Sequence, residues 1–136
     1  MKLAFLLIAL LAPPAFAQSD LPTIGTLDEI KGKTKFYVVA NTDDRDKIVK
    51  VLKKRPELVV VGEPDDAEFF IEYRETSRDE KMMMTMARGQ MDVYVIREKK
   101  KVIAWTDSAS GGGFKSAVAG ELAGKLENAL KEKKLT

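Results

Sequence analysis

The feature that most restricts the fold is a strand–helix–strand pattern in the first half of the chain. The run Lys35–Ala40 (KFYVVA) is apolar on both faces, which is typical of an interior strand. Asn41 and the acidic residues after it favour a helix start, and Pro56 prevents that helix from continuing. A second apolar run, Glu57–Gly62 (ELVVVG), follows. This order predicts two parallel strands joined by a right-handed crossover.

Three more strand patterns and a closing helix extend this unit. Apolar and charged residues alternate in Ala67–Thr76, and Phe70 is an exception on the charged side. Two apolar strands follow on either side of a basic turn, and leucines at i+4 steps predict an amphipathic helix over Phe114–Lys134. The order β-α-β-β-β-β-α predicts an α+β fold, a two-layer α/β sandwich with both helices on one face of a mixed sheet.

The basic turn between the last two strands sets their register. A turn of two or four residues around Lys99–Lys100 pairs Ile96 with Ile103, Tyr94 with Trp105, and Val95 with Ala104. That register places Trp105 beneath the helices. In the alternative, Trp105 lies beside Phe70 on an exposed patch that binds a partner.

Three local motifs give further predictions. Thr26 and Glu29 fit a capping box, which predicts a single helical turn ended by Gly32. Gly120 and Gly124 predict a close approach of the closing helix to the sheet. The glycines Gly111–Gly113 precede Lys115 and Ser116, but the glycine positions of a phosphate-binding G-x-x-x-x-G-K-[ST] loop fall on Ala109 and Phe114. We expect these glycines to turn the chain from the last strand onto the sheet.

The N-terminus has the pattern of a secretory signal peptide. Lys2 is followed by a ten-residue apolar run, about half the length of a membrane-spanning helix. The small-x-small sequence that ends at Ala17 predicts cleavage between Ala17 and Gln18. We therefore expect a signal peptide at 1–17, a lead-in at 18–33 and a single domain at 34–136. The mature chain is expected to be soluble and either periplasmic or secreted, in a bacterium.

The composition excludes several classes of function. The chain contains neither cysteine nor histidine, which removes the thiolate nucleophile, the imidazole base and most zinc sites. Removal of a leader with Lys2 leaves 22 basic and 21 acidic residues, a balance that does not suggest nucleic acid or an anionic surface as the partner. The acidic pairs occupy turns and a helix cap. We expect no enzyme activity and no cofactor.

Methionine is concentrated in one segment. Five of the six methionines lie between Met82 and Met91, and we expect Ser77–Gly89 to be irregular. Thioethers are ligands for copper(I), so Met82, Met84 and Met86 form a candidate three-sulfur site. Methionine also packs adaptably, so the segment is alternatively packing material or a flap that docks a partner. The possible interaction surface comprises Phe70, Met82, Met83, Met84 and Met86.

The residue order resembles a pattern found in bacterial envelope proteins. Asp65–Tyr73 (DDAEFFIEY), the strand at Val93–Val95, the run Lys101–Trp105 (KVIAW) and a closing Ala/Leu helix are similar to small envelope lipoproteins of unknown function. The likeness to the N-terminal domain of TolB and to CsgG-type periplasmic domains is looser. The resemblance covers residues 36 to 131 and implies an α/β sandwich used for protein–protein contacts, without a cofactor or catalytic residues. This chain lacks the cysteine that carries the lipid.

These observations predict a non-enzymatic protein-binding or assembly module of the cell envelope. Its expected partner is another envelope protein. The alternative is a methionine-rich periplasmic protein that binds copper(I).

Overall fold

The chain forms a six-stranded mixed sheet with two helices. The computed structural model describes residues 21–81, 84–112 and 117–133. The strands lie in the order β1-β6-β5-β4-β2-β3. This confirms the predicted α+β fold and element order, with a short additional strand, β1, in the lead-in. The elements are β1 (Thr23–Ile24), β2 (Lys35–Val39), α1 (Thr42–Leu52), β3 (Val59–Val60), β4 (Phe69–Lys81), β5 (Met84–Arg97), β6 (Lys100–Gly112) and α2 (Ala117–Lys133).

The first strand–helix–strand unit forms as predicted. Strand β2 is interior and runs parallel to both β3 and β4. Helix α1 begins where the backbone N–H of Asp44 donates to the Oδ1 atom of Asn41 at 2.9 Å, a side-chain cap that satisfies one unpaired donor. Ile48 and Leu52 of α1 are buried. Strand β3 has only two residues, so it is shorter than the predicted Glu57–Gly62.

The two helices pack on one face of the sheet and enclose the core. The leucine stripe of α2 is buried as its spacing predicts, and Phe36 of β2 stacks on Phe69 of β4 with ring centroids 5.7 Å apart. Each such side chain contributes about 1.5–3 kcal/mol by leaving water. The largest fully buried side chains come from both layers: Phe36, Phe69, Ile48, Leu52, Ile71, Met91, Leu122, Leu126 and Val93.

The described residues of the segment Ser77–Gly89 form strands, so the prediction that they are irregular is wrong. Strands β4 and β5 pair through it from Phe70↔Tyr94 as far as Lys81↔Met84, with a bulge between Glu75 and Ser77. Serine, arginine and methionine give this segment no clear alternation. Hydrogen bonding of β5 to strands on both sides outweighs the weak local preference, because β propensity depends strongly on context.

The predicted register of the last hairpin is also wrong. Glu98 and Lys99 have φ values of 53° and 66°, the pair of positive values that a two-residue type I′ turn requires. The turn therefore lies one residue earlier than predicted. Tyr94 pairs with Ile103, and a bulge then shifts the register so that Val93 pairs with Trp105. Val95 pairs with Val102 and Ile96 with Lys101.

The side of the sheet predicted for Trp105 is nevertheless correct. Trp105 is partly buried and packs against the hydrophobic core, so the alternative that placed it beside Phe70 is wrong. Strand β6 continues through Gly111 and Gly112, so the first two of the three glycines extend the strand rather than turn the chain. Gly113 lies outside the described residues.

The single helical turn predicted after Thr26 forms, but its capping box is incomplete. The Thr26 Oγ1 atom accepts from the Asp28 N–H at 3.3 Å and begins a single 3₁₀ turn, after which Gly32 has a φ of 81°. Glu29 does not complete the capping box, because its carboxylate binds the Arg97 guanidinium at 2.6 Å.

The prediction for the helix glycines is wrong. A methyl group at Gly120 would meet only the Lys47 side chain of α1, at 3.9 Å, and one at Gly124 would meet nothing within 4 Å. Neither glycine is therefore needed for a close approach of α2 to the sheet.

No helix within the described part of the chain is both long enough and apolar enough to cross a bilayer. The predicted cleavage site at Ala17 and Gln18 lies outside the described residues.

Candidate interaction face

The face of the sheet opposite the helices carries a continuous apolar row. Five residues are successive cross-strand partners on β1, β6, β5, β4 and β2. At about 4.8 Å between strands, the row spans about 19 Å. We call these residues the open-face row: Ile24, Ile103, Tyr94, Phe70 and Tyr37.

The aromatic side chains of the row pack against one another. Phe70 stacks on Tyr94 with ring centroids 5.2 Å apart, and Tyr37 meets Phe70 edge-on at 6.4 Å. The Lys101 ammonium lies 4.4 Å from the Tyr94 ring centroid, a cation–π distance. Because stacking covers the ring faces, an incoming partner would meet ring edges and aliphatic groups rather than a flat aromatic platform.

Tyr94 is the most buried member of the row. Its side chain is only 7% exposed although it lies on the uncovered face of the sheet. Burial raises the pKa of the Tyr94 phenol, and the nearby Glu72 and Asp92 carboxylates raise it further. Tyr94 is therefore a neutral, largely buried group at the centre of the row.

Exposed isoleucines lie at one end of the row and beside its centre. Ile24 is 71% exposed at the β1 edge, and Ile96, two residues along β5 from Tyr94, is 51% exposed. A partner that covered these side chains would gain hydrophobic free energy in proportion to the apolar area removed from water.

A polar network borders the row on β4, β5 and β6. The Asp92 carboxylate is buried and accepts hydrogen bonds from the Thr106 hydroxyl at 2.6 Å, the Gln90 amide at 3.0 Å and the Arg74 guanidinium at 3.1 Å. Burial acts to raise the Asp92 pKa, but the bonds from Thr106, Gln90 and Arg74 outweigh it and lower the pKa. The carboxylate is thus held ionised and fixed in position.

The charges beside the row are compensated. The Lys101 ammonium binds the Glu72 carboxylate at 3.1 Å, and the Arg74 guanidinium binds Asp92. The open face therefore presents an apolar row beside paired charges. This composition suits recognition of a protein surface, since interfaces combine an apolar core with a polar rim.

The predicted interaction surface is only partly assembled. Phe70 belongs to the open-face row, and Met86 is 46% exposed further along β5. Met86 lies eight residues from Tyr94, the strand partner of Phe70, which corresponds to about 27 Å along an extended strand. The fold therefore does not place Met86 next to Phe70.

The copper(I) site stays a prediction. Met82 and Met83 lie outside the described residues, and the structure describes Met84 only as backbone in β5. Met91, the last methionine of the segment, is fully buried in the core. Within residues 21–81, 84–112 and 117–133 there is no group of three acidic, histidine or cysteine side chains that could hold a metal ion.

Sequence reasoning identified Phe70 but missed the rest of the row. The signal was present, because Tyr37 and Tyr94 occur in strands that are apolar on both faces. Their alignment with Ile24 and Ile103 depends on the hairpin register and on a strand, β1, that the sequence did not predict.

A small cavity lies on the other side of the sheet, at the end of the helical layer. It has a volume of about 150 Å³ and is lined by Ile30, Leu58 and Leu130 together with the Arg55–Glu57 ion pair, 2.8 Å long. An apolar cavity of this size holds a benzene-sized molecule. Typical ligand pockets are larger, with volumes of roughly 300–1,000 Å³. The Glu57 carboxylate in its wall is already neutralised by Arg55.

Comparisons with known proteins show the fold. No family model matches the sequence, and no curated protein matches it. Among solved structures, the chain is similar to a dodecamer of a PelC variant from Paraburkholderia phytofirmans, with a TM-score of 0.51, 12% identity, and coverage of 80% of this chain and 90% of that chain. It is also similar to a minor lipoprotein from Acinetobacter baumannii, with a TM-score of 0.48, 16% identity, and coverage of 78% of this chain and 97% of that chain. A third similar structure is that of the lipoprotein GNA1162 from Neisseria meningitidis, with a TM-score of 0.36, 12% identity, and coverage of 73% of this chain and 99% of that chain. At these identities the likeness concerns the fold alone.

Proposed function

We propose that the protein is a non-enzymatic binding module of the bacterial cell envelope that binds another envelope protein through its open face. The observation that carries this proposal is the open-face row, an apolar row of about 19 Å that crosses five strands and has no covering element among the described residues. Ile24 at one end of the row and Ile96 beside its centre are exposed, and contiguous exposed apolar surface marks interaction sites.

The envelope location rests on the predicted leader. The pattern that ends at Ala17 is that of an export signal, and a chain without cysteine can fold in an oxidising compartment without forming disulfides. The similar PelC structure is a dodecamer, so assembly with other chains is a use that this fold supports.

The non-enzymatic part of the proposal rests on side-chain chemistry. A general acid or base needs a pKa near the working pH and access to a substrate. The Asp92 carboxylate on the open face has a lowered pKa and three internal hydrogen-bond donors. Its role is therefore to fix the strands, and histidine and cysteine are absent from the sequence.

Photo-crosslinking in living cells tests the proposal. A photoreactive amino acid is introduced singly at Ile24, Phe70 or Ile96 on the open face. The matched controls carry it at Glu121 or Asn128, which are exposed on α2 in the helical layer. We expect a discrete adduct with another envelope protein from the open-face positions and none from the α2 positions. An adduct of twice the mass of the chain would assign the face to self-assembly instead. Equal labelling from both layers, or no adduct from any open-face position, would refute the proposal.

A charge substitution supplies an independent control. Ile24→Asp together with Ile96→Asp should abolish the adduct formed at Phe70, because a partner would have to bury two carboxylates. Both isoleucines are exposed, so the stability of the fold should change little. Leu21→Asp is the matched variant at an exposed apolar residue outside the row, and it should leave the adduct intact.

A further inference from the structure

The helical layer carries a cluster of uncompensated positive charge. Lys47 and Lys50 lie on α1, and Lys53 and Lys54 lie in the turn that ends it. All four are exposed, and none of them forms an ion pair with another residue of the described chain. We call these four lysines the basic face.

This charge lies in the C-terminal half of α1 and the turn after it, whereas Asp43 and Asp44 lie in the first turn of the helix. On the open face, Glu72 binds Lys101 and Asp92 binds Arg74, so the charges there cancel in pairs. The near-balance of the whole chain predicted no anionic partner. Net charge does not report distribution, however, and local potential depends on which charges lie within about 10 Å of one another at 0.1 M salt.

The lysines line two shallow grooves that could receive anionic groups. One groove, about 350 Å³, lies between the helices and is walled by Lys47, Lys50 and Lys54, with the small residues Ala117 and Gly120 on the α2 side and no acidic residue in its lining. The second, about 460 Å³, lies on the other side of Lys50.

The lining of the second groove is also mainly basic. Arg45, Lys50 and Lys53 contribute to it beside a single carboxylate, Asp46, and two valines. Lys50 is shared by both grooves. Basic charge thus extends across the exposed side of α1.

A structural role accounts for part of this pattern. Cations near a helix C-terminus interact favourably with the helix dipole, which applies to Lys50, Lys53 and Lys54 in and after the last turn of α1. That effect fades beyond the last turn and does not extend to Lys47. The dipole effect also does not explain why Lys47, Lys50 and Lys54 line a common groove.

We propose that the basic face binds the phosphate headgroups of an anionic lipid bilayer and holds the protein peripherally at a membrane surface. Each basic residue near such a surface strengthens binding by about fivefold, so four together contribute several hundred-fold at low salt. Because the helices cover one face of the sheet, the open-face row would point away from the membrane. This inference goes beyond the proposed function and does not depend on it.

Vesicle co-sedimentation tests the inference. The purified chain is mixed with phosphatidylglycerol/phosphatidylethanolamine vesicles or with phosphatidylcholine vesicles at low salt. We expect binding to the anionic vesicles, release at about 0.5 M salt, and no binding to the neutral vesicles. Lys→Gln at all four basic-face positions should weaken binding by about a hundredfold or more. The matched control changes four exposed lysines elsewhere to glutamine and should retain binding within a few-fold: Lys31, Lys35, Lys99 and Lys100.

A double variant and a soluble polyanion complete the test. If circular dichroism shows that the fourfold variant is unfolded, Lys47→Gln with Lys50→Gln should still weaken binding by about twenty-fold. Absence of vesicle binding by the unaltered chain, or equal losses in the basic-face and control variants, would overturn the inference. Binding to a soluble polyanion without binding to vesicles would overturn the assignment to lipid.

Discussion

Replacing Gly89 by alanine should destabilise the fold by about 1–3 kcal/mol, the usual cost of adding a methyl group to a packed core. Gly89 is buried in β5, and the Tyr73 side chain of β4 lies across it. An added Cβ atom would lie 2.5 Å from Cε1 and 2.7 Å from Cζ of Tyr73, and closer still to its hydroxyl oxygen. Ordinary contact requires about 3.5–4.0 Å, so the buried ring must shift by about an ångström or more.

Urea denaturation measures this cost. With a slope of about 2 kcal/mol per molar urea, a loss of about 2 kcal/mol lowers the unfolding midpoint by about 1 M. The same substitution in a Tyr73→Leu background should cost much less, because the ring that it displaces is absent. Gly124→Ala in α2 is the matched control and should stabilise the protein by up to about 1 kcal/mol, since its Cβ would meet nothing within 4 Å. A midpoint unchanged by Gly89→Ala, or an equal loss with and without the Tyr73 ring, would refute the reasoning.

Two predictions concern titration. The pKa of Asp92 is lowered in the folded state, so the stabilising contribution of this carboxylate is complete above the unfolded pKa of about 3.9 and is lost as pH falls through the folded value. Asp92→Asn should cost about 2 kcal/mol at about pH 7 and flatten the loss of stability that accompanies acidification below about pH 4 in acid-denaturation curves; unchanged curves would contradict this. Burial and the Asp44 carboxylate raise the pKa of Tyr73 from 10.0 to about 12, so stability should fall as pH rises through that interval. In Tyr73→Phe, the tyrosinate absorbance that develops near pH 12 should fall by the amount of one residue, while Tyr94, whose pKa is also raised, still titrates; an unchanged amplitude would contradict the assignment to Tyr73.

The two layers of the fold have different surfaces. The open face combines apolar side chains with paired charges, whereas the basic face has exposed lysines without acidic partners in the described chain. A chain bound to a membrane through one layer could present the other to a protein. The crosslinking and vesicle experiments use separate residues, so either proposal can fail while the other stands.

The sequence determined most of the elements and their order through short-range interactions. Asn41 caps a helix because its side chain reaches a backbone N–H three residues away, and Phe69, Ile71 and Tyr73 are buried together because strand side chains alternate. Parallel pairing of β2 with β3 followed from the strand–helix–strand order. Composition also determined the available chemistry, since the sequence contains neither histidine nor cysteine.

Tertiary structure alone decided the register and therefore the candidate site. Glu98 and Lys99 are not typical turn residues, yet their positive φ values place the turn one residue before its predicted position. That shift aligns Tyr94 with Ile103, and the parallel pairing of β1 then adds Ile24 to the row. Cross-strand neighbours lie far apart along the chain, so no local pattern specifies them. The four lysines of the basic face are close in the sequence, but only the fold shows that Lys47, Lys50 and Lys54 line one groove with no acidic residue in its lining.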